Sequence, residues 1–258
     1  SAREGTRAVG PFVAVWFAVF MIPYFAWVRD PRGPRLGTAS LTRAVSMVVA
    51  SVKGLGQRRS LTSYLVSSML YRDGLNGLYA FGGVYAALVL NWEVAQIGAF
   101  GVIAAIGASI FSYLGGFADR RFGPKPVILA SIWGLMFVCF TIINITPVSV
   151  FGMTMSEGSN LPNLTFMVCG VLIGGLGGVL QSASRSLMVR HTNEDSATEY
   201  FGLYGLSGRA TAFMAPLLIG IVTTISDSAQ IGLSPVIFLF LLGLILLRWV
   251  KSDGEFSS

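Results

Sequence analysis

The stretch Leu161–Met188 reads LPNLTFMVCGVLIGGLGGVLQSASRSLM and is apolar or small almost throughout, with no charge before Arg185. A helix needs about 20 apolar residues to cross roughly 30 Å of bilayer hydrocarbon, so this stretch predicts a transmembrane helix. Six other stretches reach that length, namely Ala8–Val28, Ser60–Asn91, Val94–Ala118, Pro126–Met155, Tyr200–Ser226 and Ile231–Leu247. The chain is 53% hydrophobic and only 12% charged. The sequence therefore predicts an all-α membrane protein with seven transmembrane helices.

Positive charge is concentrated in alternate connections between these stretches. Basic residues occupy the connections after the first, third and fifth stretches and follow the seventh, whereas connections 91–93, 156–160 and 227–230 contain no Lys or Arg. This alternation follows the positive-inside rule and predicts a cytoplasmic carboxyl terminus. We assign the net charge of +6 to topology and to anionic lipid headgroups, so no nucleic-acid partner is expected.

The pattern divides the chain into four parts. Residues 1–28 hold the first predicted helix, 29–59 a cytoplasmic linker, 60–250 a six-helix unit and 251–258 a cytoplasmic tail. In the linker Leu41, Val45, Val48, Val49 and Val52 recur at helical spacing, which predicts an amphipathic helix along the headgroups, with an unstructured linker as the alternative. Arg3 and Arg7 break the charge alternation and the chain begins with Ser, so we interpret it as a fragment.

Glycines recur at helical spacing in two of the stretches. Gly170, Gly174 and Gly178 form one ridge, and Gly202, Gly205 and Gly208 form another. Such ridges allow close helix packing in lipid. Sliding at these contacts and packing without motion both stay open as interpretations.

Four charged residues lie inside the stretches: Arg72, Asp73, Arg185 and Arg209. A charge at mid-bilayer costs at least about 2.5–3.5 kcal/mol, so such residues usually face protein or a watery path. Arg185 is close enough to Arg190 to extend to the interface, whereas the other three lie near the centre. Asp73 has two compatible interpretations, as an ion-pair partner of Arg72 or Arg209 and as a protonatable group that couples protons to transport. The surplus positive charge favours a solute with a carboxylate or another anionic group.

Polar side chains accompany these charges on two stretches. They define a candidate solute path of Asp73, Asn76, Tyr79, Tyr204, Ser207 and Arg209. Hydrogen bonding between helices is the alternative role for such residues. No cofactor or metal site is expected, because Cys139 and Cys169 have no histidine neighbours.

Four segments carry a family resemblance. Residues 115–125, GGFADRRFGPK, resemble the G-x-x-x-D-R-x-G-R-R loop of the major facilitator superfamily, with one residue inserted and Pro124 replacing a basic residue. Residues 71–86, YRDGLNGLYAFGGVYA, look like the seventh-helix signature of its vacuole-effluxer-like branch. Residues 181–188, QSASRSLM, and 199–211, EYFGLYGLSGRAT, look like its tenth and eleventh helices. Arg72 departs from the small polar residue expected before Asp73.

The resemblance implies a secondary transporter that works by alternating access between two six-helix halves. This chain would supply the sixth helix and the carboxyl-terminal bundle, and its main partner would be the missing amino-terminal half. The implied solute is an amino acid or another carboxylate-bearing metabolite, and we expect a bacterial inner membrane rather than a vacuolar one. Asp119, Arg120 and Arg121 would form a cytoplasmic gate, in which Asp119 caps a helix start and pairs with basic residues.

Other functional classes are also considered. Residues 205–208 match the G-x-S-G of rhomboid-like serine proteases, but the only histidine, His191, lies too far along the chain to serve as the base, so no enzyme is expected. A retinal protein needs an intramembrane lysine, whereas Lys53, Lys125 and Lys251 lie at loops or ends. A seven-helix receptor and a channel or non-transporting subunit are the alternatives.

Overall fold

The computed structural model describes residues 4–28, 46, 49–50, 52–156, 159–193 and 197–254. Most of the predicted linker lies outside this range, including Leu41, Val45 and Val48 of the expected amphipathic helix. The chain divides into two compact units, Ser1–Ser46 and Met47–Ser258. In the first unit, helix α1 extends over Glu4–Trp27, and its Ala8–Trp27 portion is long and apolar enough to cross a membrane.

The second unit is a helical bundle. A short 3₁₀ turn, Leu55–Gln57, leads into it. Its helices are α2 Arg59–Leu88, α3 Val94–Phe122, α4 Pro124–Ile143, α5 Leu161–Arg190, α6 Ala197–Ala210, α7 Met214–Ser226, α8 Ala229–Gly232 and α9 Ser234–Leu247. Helix α5 packs against α3 and α4, and α2 packs mainly against α9, with further contacts to α6 and α7.

The predicted all-helical membrane class is confirmed. In the described ranges, six helical segments are long and apolar enough to cross a bilayer, counting α6 with α7 and α8 with α9 as single segments. Helix α2 has 30 residues but is not among the six, so the count of seven is not confirmed. Polar side chains of α2 bond to other helices, and Ser67, for example, donates to the Gly243 carbonyl at 2.6 Å.

The fourth predicted stretch, Pro126–Met155, is wrong at its carboxyl end, because α4 stops at Ile143. The chain then forms three short antiparallel strands in the order β1-β2-β3, which are Ile145–Thr146, Ser149–Val150 and Met153–Thr154. Phe151 and Gly152, with φ of 52° and 75°, make the second reversal. Tyr85 fixes the first strand to α2, since its hydroxyl group lies 2.9 Å from the Ile142 carbonyl and 2.8 Å from the Ile145 carbonyl.

The sixth predicted stretch, Tyr200–Ser226, is not one continuous helix. It breaks between Ala210 and Met214, where α6 ends and α7 begins. Pro216 explains the break, because a proline ring clashes with the carbonyl four residues earlier and offers no N–H group. The backbone bond from the Met214 N–H group to the Thr211 carbonyl, at 2.8 Å, closes a tight turn there.

The predicted close packing of the first glycine ridge is confirmed. An added Cβ at Gly170, Gly174 or Gly178 would overlap Phe100, the Ala104 carbonyl or Ser112 of α3, respectively. The second ridge differs, because Gly202 and Gly205 have no described atom within 4 Å of such a Cβ. Only Gly208 makes a close contact there, and its neighbour is Arg72.

Candidate functional site

Arg72 and Asp73 lie near the middle of α2 and contact opposite sides of the break between α6 and α7. Successive residues of a helix point about 100° apart, so adjacent side chains meet different neighbours. Arg72 lies against α6, whereas Asp73 reaches the first turn of α7. The sequence predicts that both residues lie near the centre of the membrane, but it does not predict that their side chains face different helices.

Asp73 is a buried helix cap. Its side chain is 0% exposed, and its Oδ2 accepts a hydrogen bond from the Ala215 N–H group at 3.0 Å. A carboxylate at the start of a helix satisfies free N–H groups and is stabilised by the helix dipole. The other oxygen, Oδ1, is buried and has no hydrogen-bond partner among the described residues.

The ion pair expected for Asp73 is not formed. Within the described residues, Asp73 pairs with neither Arg72 nor Arg209, and the bond to Ala215 takes the place of both. The physical reason is the break, which exposes helix N–H groups where an unbroken helix would have none. Gly77, one turn after Asp73, permits this approach, because a Cβ there would lie 2.7 Å from the Ala215 Cβ.

Arg72 is half-buried and sits on Tyr204. Its Cζ lies 4.3 Å from the centre of the Tyr204 ring, and Nη1 donates to the Tyr204 carbonyl at 3.0 Å. Gly208 faces the guanidinium so closely that an added Cβ would lie 2.5 Å from Cζ. Ser207 also donates to the Tyr204 carbonyl at 3.0 Å, so Arg72, Tyr204 and Ser207 form one polar patch, here called the Arg72 patch.

The structure separates the other predicted path residues from this patch. Asn76 and Arg209 are exposed, and Tyr79 is 42% exposed. The Tyr79 hydroxyl group lies against Gly177 of α5. Of the six predicted residues, Tyr204 and Ser207 come together, whereas Asp73 faces α7 and is sealed from solvent.

Tyr79 borders a cavity of about 390 Å³ between α2, α3 and α5. The other residues that line this cavity are Leu78, Gly82, Gly83, Ile97, Phe100, Gly101, Ala104, Ala105, Ala108, Gly170, Ile173 and Gly174. Sequence reasoning had missed the part played by α3. The signal was present, because Gly101, Ala104, Ala105 and Ala108 recur at the spacing of one helical face.

The predicted gate residues do not make the contacts expected of them. The cap position of α4 is Gly123, with no side-chain hydrogen bond, so Asp119 does not cap that helix. The buried Oδ1 of Asp119 has no partner among the described residues, and Arg120 is exposed. Arg121 lies 5.5 Å above the Phe122 ring. Pro124 at the first position of α4 explains the missing cap, since proline starts a helix without needing a partner for an N–H group.

A buried polar chain joins the ends of α2 and α5 to the carboxyl-terminal segment. The Lys251 N–H group donates to Ser60 Oγ at 2.9 Å, and Ser60 Oγ lies 3.0 Å from Nε2 of His191. His191 is 0% exposed, and its Nδ1 lies 2.9 Å from the Leu187 carbonyl. Because a carbonyl only accepts, Nδ1 carries the proton. Apart from the polar types of Ser60 and His191, nothing in the sequence indicates that these hydrogen bonds form.

Comparison with known proteins identifies relatives along nearly the whole chain. The family described as "Vacuole effluxer Atg22 like" matches residues 3–255. An uncharacterized MFS-type transporter, YxiO of Bacillus subtilis, is 23% identical over 241 residues, which is 93% of this chain and 52% of the relative. Autophagy-related protein 22 of Pyricularia oryzae is 26% identical over 246 residues, covering 87% of this chain and 35% of that protein. The chain thus spans about half the length of the bacterial relative, and less of the fungal one.

Proposed function

Because the chain belongs to the vacuole effluxer Atg22-like family of major-facilitator-type transporters, we propose that it forms part of a secondary active transporter for a small solute. The observation that carries the proposal is the break between α6 and α7 beside two charged residues of α2. Broken helices in transporters expose backbone groups at the depth where solutes and coupling ions bind. The proposed solute is an amino acid or another carboxylate-bearing metabolite.

The proposed partner is a second helical half. The bacterial relative is about twice as long as the matched region, which supports a counterpart for this bundle. Asn76, Tyr79 and Arg209 are exposed in the absence of such a counterpart, so they are available to line a path shared with it. We propose that the carboxyl terminus and the Asp119–Arg121 gate face the cytoplasm, because the basic connections follow the positive-inside rule. The bacterial relative supports a bacterial inner membrane as the location.

Asp73 is the proposed site of proton coupling. Its Oδ2 accepts from Ala215, and its Oδ1 is buried without a described partner. Protonation would remove the negative charge from the start of α7 and weaken the cap, because a neutral carboxyl group is a poorer acceptor than a carboxylate. A proton would thereby loosen the contact between α2 and α7, which is the kind of change that alternating access requires.

Counter-exchange in liposomes tests the transport proposal. The chain is purified from its host membrane through a tag, so that any companion polypeptide is retained, and is reconstituted in liposomes loaded with unlabelled amino acids. We expect uptake of labelled amino acids that saturates and is accelerated by the internal pool. Unitary conductance in planar bilayers would indicate a channel instead, and the absence of both activities would contradict the proposal.

Tyr79 and Tyr113 offer a matched pair of variants for the same assay. Tyr79 borders the cavity, whereas Tyr113 of α3 is 71% exposed and lies outside the lining. We expect Tyr79→Ala to slow exchange by about tenfold, equivalent to about 1.4 kcal/mol, and Tyr113→Ala to leave it unchanged. Equal effects of the two variants would remove the cavity from the proposed path.

A further inference from the structure

Several N–H donors of the Arg72 guanidinium have no acceptor among the described residues. An arginine side chain carries several N–H donors in a planar fork. Among the described residues, one of them bonds to the Tyr204 carbonyl, and the face of the group rests on the Tyr204 ring. The residue is half-buried rather than sealed, and no described residue accepts a bond from the remaining donors. The group is thus held in position without being fully bonded.

No described carboxylate neutralises Arg72. The Oδ2 of its neighbour Asp73 accepts a bond from Ala215 instead. Arg190 forms an ion pair with Asp253 at 3.8 Å, but no described carboxylate pairs with Arg72. Arg72 lies about 20 Å along α2 from Arg59, at 1.5 Å per residue, which is too deep to reach lipid headgroups readily. An unpaired charge at that depth is costly, so the site is electrostatically incomplete.

The support beneath Arg72 is rigid. Tyr204 is 7% exposed, and its ring stacks on Tyr64 with centroids 6.1 Å apart. Tyr64 stacks in turn on His191 at 5.5 Å, and its hydroxyl group donates to the Ser184 carbonyl. Because Gly208 has no Cβ, the guanidinium can lie directly against its backbone. This arrangement fixes the plane of the guanidinium before any ligand arrives.

We propose that Arg72 binds the carboxylate of the transported solute through a bidentate pair of N–H···O bonds. The planar fork matches a carboxylate, and a fixed plane reduces the ordering that binding would otherwise require. The proposal rests on the transport function proposed above and assigns its anionic specificity to one residue. It also explains why Arg72 and Asp73 can be adjacent without pairing, since each has a different partner.

Equilibrium binding tests the assignment without requiring transport. The complete chain is placed in nanodiscs of zwitterionic phosphatidylcholine, which excludes anionic lipids, and is titrated calorimetrically with L-leucine, L-leucinamide, benzoate and benzamide. We expect at least one carboxylate to bind, and its amide to bind about tenfold more weakly or worse. Arg72→Gln should lose the same factor for the carboxylate, whereas Arg72→Lys should lose less because it keeps the charge without the fork.

Two further variants control for charge and for folding. Arg185→Gln removes an exposed positive charge from α5, a different helix from those that hold Arg72 and Tyr204, and should leave binding unchanged. Gly208→Ala keeps the charge of Arg72 but places a methyl group where the guanidinium lies, so it should weaken carboxylate binding as Arg72→Gln does. Gly208→Ala decides the question if Arg72→Gln fails to fold, as judged by circular dichroism and gel filtration.

Several outcomes overturn the assignment. It fails if Arg72→Gln and Gly208→Ala bind the carboxylate as tightly as the unchanged chain, or if that chain binds none of the carboxylates. Saturable exchange of a neutral or cationic solute, with no carboxylate binding, would reject the role of Arg72 and keep the transporter. Arg72-dependent binding without any flux would keep the site and reject the transporter.

Discussion

Helix α5 meets α3 through contacts of a different kind from those that join α2 to α6 and α7. In the first interface, glycines bring backbones together, and Gly174 lies directly on the Ala104 carbonyl. In the second, apart from the close approach of Gly77 to Ala215, single polar bonds connect the helices, from Arg72 to Tyr204 and from Ala215 to Asp73. Close packing in lipid depends on shape along the whole contact, whereas a polar contact depends on a few groups.

The difference indicates which part of the bundle can change. An interface of interlocking backbones tolerates little displacement, because dense packing is lost as soon as the helices separate. A contact made by one carboxylate or one guanidinium can be released by a proton or a ligand without repacking the helices. We therefore expect α3 and α5 to move as one body, and the break between α6 and α7 to be the adjustable part.

Gly174→Ala gives the largest expected effect on the first interface. The new Cβ would overlap the Ala104 carbonyl, and a backbone group cannot rotate away, so the free energy of unfolding should fall by about 3 kcal/mol. Gly98→Ala on α3 is the matched control, because no described atom lies within 4 Å of its Cβ. Thermal unfolding in detergent measures both variants. Equal stability of the two would show that the ridge is not tightly packed.

Asp73→Ala gives an intermediate effect on the second interface. Loss of the cap at Ala215 should lower the free energy of unfolding by about 1–2 kcal/mol and speed amide exchange at the start of α7. Asp73→Asn retains a carbonyl oxygen and should cost about half as much or less. Hydrogen exchange followed by mass spectrometry reports the local change. Unchanged protection of the first turn of α7 in Asp73→Ala would contradict the capping role.

Ser67→Ala gives the smallest expected effect and extends the comparison to α9. Ser67 donates to the Gly243 carbonyl of that helix at 2.6 Å, so its loss should cost about 0.5–1.5 kcal/mol. Ser68 is equally buried but donates to the Leu65 carbonyl of its own helix at 2.8 Å. Ser68→Ala should therefore affect thermal unfolding less than Ser67→Ala does. The reverse order would mean that polar bonds between helices do not stabilise α2.

Much of the fold could be predicted because apolar length and glycine spacing are properties of single segments. They gave the membrane class, most helix bounds and the close packing of Gly170 and Gly174. The break at Ala210–Met214 was missed although Pro216 marks it, because the surrounding residues are apolar enough to continue a helix. The strands at 145–154 were missed for the same reason, since apolar content does not distinguish a helix from a short hairpin.

The site was harder to predict, because it depends on directions that only the assembled bundle defines. The sequence identified Arg72, Asp73, Tyr204 and Ser207 as polar residues at similar depth. It did not show that Asp73 would turn to α7, because the capping bond exists only where a second helix begins. The role of Gly208 was also hidden, since its partner is a side chain on a distant segment.

The polar character of α2 has a consequence for how the chain is made. The hydrogen-bond partners of its intramembrane side chains come later in translation: Ser184 lies 113 residues after Tyr71, and Gly243 lies 176 residues after Ser67. When α2 emerges from the ribosome, none of these partners has been synthesised. We expect α2 to be retained beside the insertion machinery until the later helices arrive, and to enter the lipid together with them.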